Sequence, residues 1–269
     1  MITLTDDAGK EVALSAPAAR IVSLVPSVTE TLFALGIKER IAGRTRYCDR
    51  PVDEVNVVPT VGGTKNPDLK AIAALKPDLI LVNTEENRPE DVAALREIAP
   101  VYEDFARKVD DGPGLIRALG RLTGTEEKAE VMARTIEMEI AAIKELAARY
   151  GRKRRAAYFI WKDPWMSINR DTYIHDALEL AGMENVYGDR EERYPETNFE
   201  ELTERAPEVI YLSSEPYPFE LKHRNEFLDH EEIPAARMGR VYLVDGTYFC
   251  WYGVRQIEAL RWIRATILG

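Results

Sequence analysis

Residues 68–81 read DLKAIAALKPDLIL, and residues 198–211, about 130 positions later, read NFEELTERAPEVIY. Pro77 falls on Pro207, Asp78 on Glu208, Leu79 on Val209 and Ile80 on Ile210. Each copy begins as an amphipathic helix. The proline, which lacks an N–H and clashes with the preceding turn, stops it. An acidic residue follows, then an apolar run short enough to be a buried strand. A helix–strand unit stated twice at domain-sized spacing predicts two similar lobes with a cleft between them, and such clefts are where small ligands bind.

The flanking sequence extends this pattern. Residues 20–25 (RIVSLV) read as a buried strand. Pro26 and Ser27 then open a helix that stops at Gly36, with Ser27 as N-cap and Glu30 completing a capping box. Residues 41–46 form a short strand, 47–67 a loop rich in turn formers, 83–88 a polar loop, 89–98 a helix with proline in its first turn, and 101–105 a strand. In the second half, residues 155–161 and 240–244 read as strands, Asp171 caps a helix ending at Gly182, and residues 253–268 form a closing helix. Alternating strands and helices predict mainly parallel sheets flanked by helices. Residues 126–150 contain no glycine or proline, and Val131, Ile136, Ile140, Ile143 and Leu146 give them one apolar stripe. That is a single long helix, stiff where a Gly/Ser-rich linker would be floppy. The expected architecture is therefore α/β, with an N-terminal lobe (1–125), a connecting helix (126–150) and a C-terminal lobe (151–269).

Composition narrows the function. The 269 residues are 45% hydrophobic and 30% charged, enough to bury a core, and the net charge of −10 argues against a nucleic-acid surface. The basic run at 152–155 (RKRR) reads as a solvated turn before a strand. No apolar run approaches the ~18 residues of a membrane span. The first residues alternate like a hairpin rather than a signal peptide, leaving either a cytoplasmic protein or a mature segment cut from a longer precursor. Two cysteines are too few for a disulfide scaffold.

Catalytic groupings are missing from the pattern: no Gly-x-Ser-x-Gly, no P-loop, no Gly-x-Gly-x-x-Gly after a strand. The three histidines lack zinc-site spacing; His175 belongs to a helix, and His223 and His230 read as surface. Loop aromatics are the stronger signal. Tyr47 follows a strand, Trp161 and Trp165 bracket a Lys-Asp-Pro turn, Tyr187 and Tyr194 sit in a polar loop, and Tyr248, Phe249, Trp251 and Tyr252 crowd one strand-to-helix connection. Rings gathered at strand ends suit the wall of a site for a bulky, flat or partly apolar ligand, although some such rings simply cap the edge of a core. Arg255 offers a cation to an acidic group on the ligand or to a surface salt bridge. Cys48 and Cys250 each adjoin an aromatic; small buried thiols are the simpler reading, since two thiolates do not define a metal site.

The stretches RIVSLVPSVTETLFALGIKERIAGRTRYCDRP (20–51), VGGTKNPDLKAIAALKPDLILV (61–82), ELAGMENVYGD (179–189), NFEELTERAPEVIYL (198–212) and VYLVDG (241–246) resemble the substrate-binding proteins of ABC importers for vitamin B12 and iron siderophores. These are the two-lobed helical-backbone metal receptors. The resemblance implies a monomeric, extracytoplasmic binding protein with no catalytic cofactor. Its ligand would be cobalamin, another corrinoid, haem or a ferric chelate held between the lobes, and its partner an ABC permease. Tyr47 matches a tyrosine that touches the corrin, Tyr194 stands where cobalamin-binding members have a tryptophan, Tyr248–Tyr252 where they place further rings, and Arg255 matches a nearby arginine. Thr64, after Gly63, replaces a cleft tryptophan. The implied ligand contacts are thus Tyr47, Cys48, Gly63, Thr64, Trp161, Trp165, Tyr194, Tyr248, Phe249, Trp251, Tyr252 and Arg255. Glu200 matches a permease-docking glutamate, whereas the corresponding first-lobe position is Lys70, with Asp68 a half-turn away. A lysine facing an arginine pocket repels. The alternative is a cytoplasmic corrinoid or chelate sensor or chaperone. A third reading, a metal-cluster redox subunit, needs a second subunit to complete the ligands begun by Cys48 and Cys250.

Overall fold

The computed structural model describes residues 1–149 and 151–266. Its chain divides into two compact units: Met1–Ala106, Asp110–Glu137 and Tyr252–Arg255 form unit 1, and the remainder forms unit 2.

Unit 1 begins with an antiparallel hairpin, β1 (Ile2–Thr5) and β2 (Glu11–Leu14). There follow β3 (Ile21–Ser23), α1 (Pro26–Ala34), β4 (Ile41–Arg44), α2 (Leu69–Ala74), β5 (Leu79–Asn83), α3 (Pro89–Arg96), β6 (Val101–Asp104), α4 (Gly112–Thr123) and the first half of α5 (Glu126–Ala148). The sheet is wholly parallel in the order β4-β3-β5-β6. Every residue of β5 is buried, which is why it reads as a continuous apolar run rather than an alternating one.

Unit 2 takes the second half of α5 and continues with β7 (Arg154–Phe159), β8 (Trp165–Met166), α6 (Tyr173–Leu180), β9 (Met183–Asn185), β10 (Glu196–Thr197), α7 (Phe199–Arg205), β11 (Val209–Ser213), α8 (Leu221–Leu228), α9 (Pro234–Arg237), β12 (Val241–Val244), α10 (Thr247–Cys250) and α11 (Arg255–Thr266), with Tyr252–Arg255 excepted. Its parallel sheet runs β12-β11-β7-β9. In each unit the first strand in sequence lies between the second and the third. The two sheets share one topology.

The repeat holds down to single hydrogen bonds. Asp68 caps α2 by accepting from the Ala71 N–H at 3.0 Å, and Asn198 caps α7 by accepting from the Glu201 N–H at 2.8 Å. Each helix is left through a residue of positive φ just before the proline, Lys76 at 48° and Ala206 at 44°; proline disfavours a right-handed helical conformation for the residue ahead of it. The Asp78 carboxylate accepts from the N–H groups of Ala19 (2.8 Å) and Arg20 (2.9 Å), and that of Glu208 from the Arg155 N–H (3.1 Å). The Arg20 side chain donates to the Leu75 carbonyl, and Arg155 to that of Arg205 at 2.7 Å. In each unit an arginine–acid brace thus pins the first and third strands at their N-terminal ends.

Several sequence expectations are corrected. Ser27 lies inside α1: extended Val25 is the N-cap, Pro26 takes the first turn, and no side chain caps the helix. Thr172, not Asp171, caps α6, its hydroxyl accepting from the His175 N–H at 3.2 Å, while Asp171 pairs with Arg193. In α5 the inward residues are Ala129, Ala133, Ile136, Ile140 and Ile143, whereas Val131 is 68% exposed, two positions off that stripe. His223 is buried, not surface; its Nδ1 accepts from the Glu220 N–H at 2.9 Å. The basic run is matched by acids, Arg152 by Glu208, Lys153 by Glu179 and Arg155 by Glu184. Tyr150 and Leu268, where the long and closing helices were expected to end, lie outside the described residues. No described helix is long and apolar enough to cross a membrane.

Candidate functional site

In open parallel α/β sheets, ligands bind beyond the carboxyl ends of the strands, where the strand order switches direction. In unit 1 that edge carries the loops after β3, β4 and β5. Tyr47, three residues past β4, is 53% exposed, with the Arg46 guanidinium 5.2 Å from its ring centre. Gly63 allows this close arrangement: a Cβ there would lie 2.4 Å from Asn66 Oδ1 and 3.2 Å from the Tyr47 ring. Thr64 is buried, and its carbonyl accepts from Asn87 at 2.9 Å. Cys48 is fully buried as well; its sulfur lies 3.1 Å from the hydroxyls of Thr29 and Thr45, and burial pushes its thiol pKa up. It packs as a small buried group, and the raised pKa disfavours the thiolate.

Tyr252–Arg255 is sewn into unit 1 residue by residue. The Tyr252 hydroxyl donates to Asp104 Oδ2 at 2.6 Å and also meets the Asn83 amide. A Cβ on Gly253 (φ 83°) would lie 2.4 Å from Thr31 Oγ1, which accepts from the Val254 N–H at 3.1 Å. Arg255, 8% exposed, grips the Glu30 carboxylate through Nε (3.0 Å) and Nη2. Its partner is therefore a partly buried acid of α1 rather than a surface group. Asp104 is buried beneath Tyr252, and loss of water lifts its pKa to about 7 against the opposing pull of the Tyr252 and Asn83 hydrogen bonds.

In unit 2 the same edge carries Trp161 after β7 and the Glu215–Phe219 loop after β11. Trp161 is 40% exposed, and its ring centre lies 5.6 Å from that of Tyr217. Tyr194 is 39% exposed beneath the Arg193 guanidinium. Trp251 is held inward, its indole N–H donating to Glu215 at 3.0 Å. Trp165 and Phe249 belong to packing. Trp165 fits among Phe159, Phe199, Phe219 and Phe227, and Phe249 is buried against Tyr158 and Trp262. Tyr248 is half-buried on Trp262, and Cys250 is half-buried with its sulfur 3.9 Å from Glu215 Oε2. Asp68 and Glu200 are both exposed, Asp68 as the cap of α2 and Glu200 in the first turn of α7. Lys70 takes the matching place in α2 and is exposed.

These loops offer flat aromatic faces and cations. Among the described residues no group of three or more His, Cys, Asp or Glu side chains is placed to hold a metal ion. A shallow pocket of about 430 Å³ lies elsewhere, lined by Glu11–Ala13 and Arg96–Val101 beside the N-terminal end of β6.

Residues 21–248 match the model of a family described as periplasmic binding protein. The chain belongs to that family. It is similar to the vitamin B12-binding protein of Vibrio cholerae, 26% identical over 200 residues covering 73% of this chain and 71% of that one. A substrate-binding lipoprotein of an ABC transporter from Bacillus subtilis, YvrC, is 25% identical over 279 residues, covering 99% of this chain and 85% of its own. Among solved structures, the periplasmic haem-binding protein RhuT of Roseiflexus sp. RS-1 superposes with a TM-score of 0.80 at 24% identity, over 93% of this chain and 97% of that one. The family's relatives are binding proteins, periplasmic or anchored as lipoproteins, and their two-lobed α/β fold is the fold of this chain.

Sequence reasoning missed four residues at these edges: Glu86, Asp104, Glu215 and Tyr217. Tyr217 carried a signal, an aromatic flanked by Pro216 and Pro218 in a loop after a strand. The three acids carried none, standing among 46 Asp and Glu residues.

Proposed function

We infer that this member of the periplasmic binding protein family holds a metal chelate, a cobalamin-type corrinoid or else a haem or ferric chelate, as the substrate-binding component of an ABC importer. The observation that carries the reading is the set of exposed rings, Tyr47, Trp161 and Tyr194, at the strand-end loops of the units, each against an arginine or a second ring. Exposed aromatic faces cost solvation unless a partner covers them, and a flat, partly apolar macrocycle is a partner of matching shape. Half-buried Trp165 and buried Trp251 keep those loops in place. The vitamin B12-binding and haem-binding relatives support the ligand class, and the lipoprotein relative supports a location outside the cytoplasmic membrane.

Titration of the purified protein with cyanocobalamin, haemin and a ferric hydroxamate is the test. Binding of one of them should quench tryptophan fluorescence, and Trp161→Ala should weaken that binding about tenfold, the effect of losing one stacked ring. Glu200→Ala should leave it unchanged. A panel with no response to any of the three compounds overturns the reading.

A further inference from the structure

The loop after β5 is built around two buried asparagines. Asn83 Oδ1 accepts from the N–H groups of Glu85 (2.8 Å) and Glu86 (3.1 Å), while Asn87 Oδ1 accepts from the Asn83 N–H at 2.9 Å and Asn87 Nδ2 donates to the Thr64 carbonyl at 2.9 Å. The backbone of residues 83–87 is thereby fixed at the carboxyl edge of the sheet. Glu86 projects from this rigid loop half-buried, with no hydrogen bond or ion pair to its carboxylate among the described residues. Lys65, the cation that acts on its carboxylate, spends its ammonium on the backbone carbonyl of Glu85. Burial pushes the Glu86 pKa up, Lys65 opposes the shift, and Glu85 and the phenol of Tyr252 are its other titratable neighbours. A carboxylate held partly out of water without a donor is a costly arrangement that a donor arriving from outside relieves.

We propose that Glu86 is a ligand-selecting residue, accepting a hydrogen bond from a neutral N–H or O–H group, an amide above all, on the ligand's periphery and repelling peripheral carboxylates. This rests on the chelate-binding reading and sharpens it: the preferred chelate carries amides rather than acids where it meets this loop. Like charges brought together at a partly dehydrated contact disfavour binding, whereas a donor to a charged acceptor favours it.

The test compares matched ligand pairs, cyanocobalamin against its monocarboxylic acid derivatives and haemin against its bis-amide, on wild-type, Glu86→Gln and Glu85→Gln proteins. Wild type should favour the amide member about tenfold, the scale of one charge-assisted hydrogen bond. Glu86→Gln should bring the two members of a pair close to equal affinity with an unchanged melting temperature, and Glu85→Gln should keep the wild-type preference. Binding without an amide preference in wild type, or a preference that survives Glu86→Gln, overturns the proposal and leaves the chelate reading standing. Failure of both macrocycles to bind overturns the proposal, and the chelate reading falls with it only if the ferric hydroxamate also fails to bind.

Discussion

Asp104 and Arg255 show how single buried charges position the segment that follows the Tyr248–Trp251 loop. Asp104 is uncharged in the folded protein up to about pH 7, whereas an unfolded aspartate ionises near 4. Between those values the folded state holds a proton that the unfolded chain has lost, so the contribution of Asp104 to stability is full below about pH 4 and is lost as pH rises toward 7. Asp104→Asn keeps an acceptor for Tyr252 and removes the titration. The melting temperature of wild type relative to the variant should fall as pH rises across that window; parallel curves would refute the assignment. Arg255→Ala removes the buried half of a two-point ion pair with partly buried Glu30 and should cost about 1–3 kcal/mol, measured by urea denaturation. Neither role was legible in the sequence. Glu30 read as half of a local capping box, while its actual partner lies 225 positions away. Periodicity and cap rules describe near neighbours and are silent about such pairs.

At the scale of elements, the repeat carried most of the fold. Two prolines at matching places, each followed by an acid and an apolar run, gave the helix–strand order of both units, because the stops are set by local backbone chemistry. The capping errors have the same local origin. Ser27 and Asp171 each qualify as an N-cap, but Pro26 and Thr172 stand next to them, and only the tertiary course of the chain decides which residue starts the helix. The stripe of α5 was right at Ile136, Ile140 and Ile143 but began at exposed Val131, because the inward Ala129 and Ala133 are less conspicuous in sequence. The true caps give a direct check: Asp68→Ala and Asn198→Ala should each lower stability by about 1 kcal/mol, while Asn198→Asp should be nearly neutral. Exposed rings were the legible part of the candidate site, because an aromatic in a polar loop stands out in sequence. Which rings turn inward, as Phe249 and Trp251 do, depended on partners that no spacing reveals.

For the molecule as a whole, the two units share a topology but differ in charge at the start of matching helices, Lys70 on α2 and Glu200 on α7. If Glu200 meets a basic permease surface, Glu200→Lys should weaken association with the reconstituted permease, most at low ionic strength where exposed charges are least screened. Lys70→Glu should strengthen it. Equal association for both variants would place docking elsewhere. The braces made by Asp78 with Arg20 and by Glu208 with Arg155 sit at the N-terminal ends of the strands, whereas the rings and Glu86 sit at the opposite ends. Arg152 and the Arg155 N–H hold the Glu208 pKa at about 2, so that fastening keeps its charge at any pH the protein is expected to meet. If the rings and Glu86 meet the ligand as proposed, architecture and selectivity lie at separate poles of each sheet. On that reading, substitutions at Glu86 or Trp161, which leave the Asn87 and Glu215 hydrogen bonds intact, should retune what is captured without loosening the frame, which makes this scaffold a permissive starting point for ligands it does not yet hold.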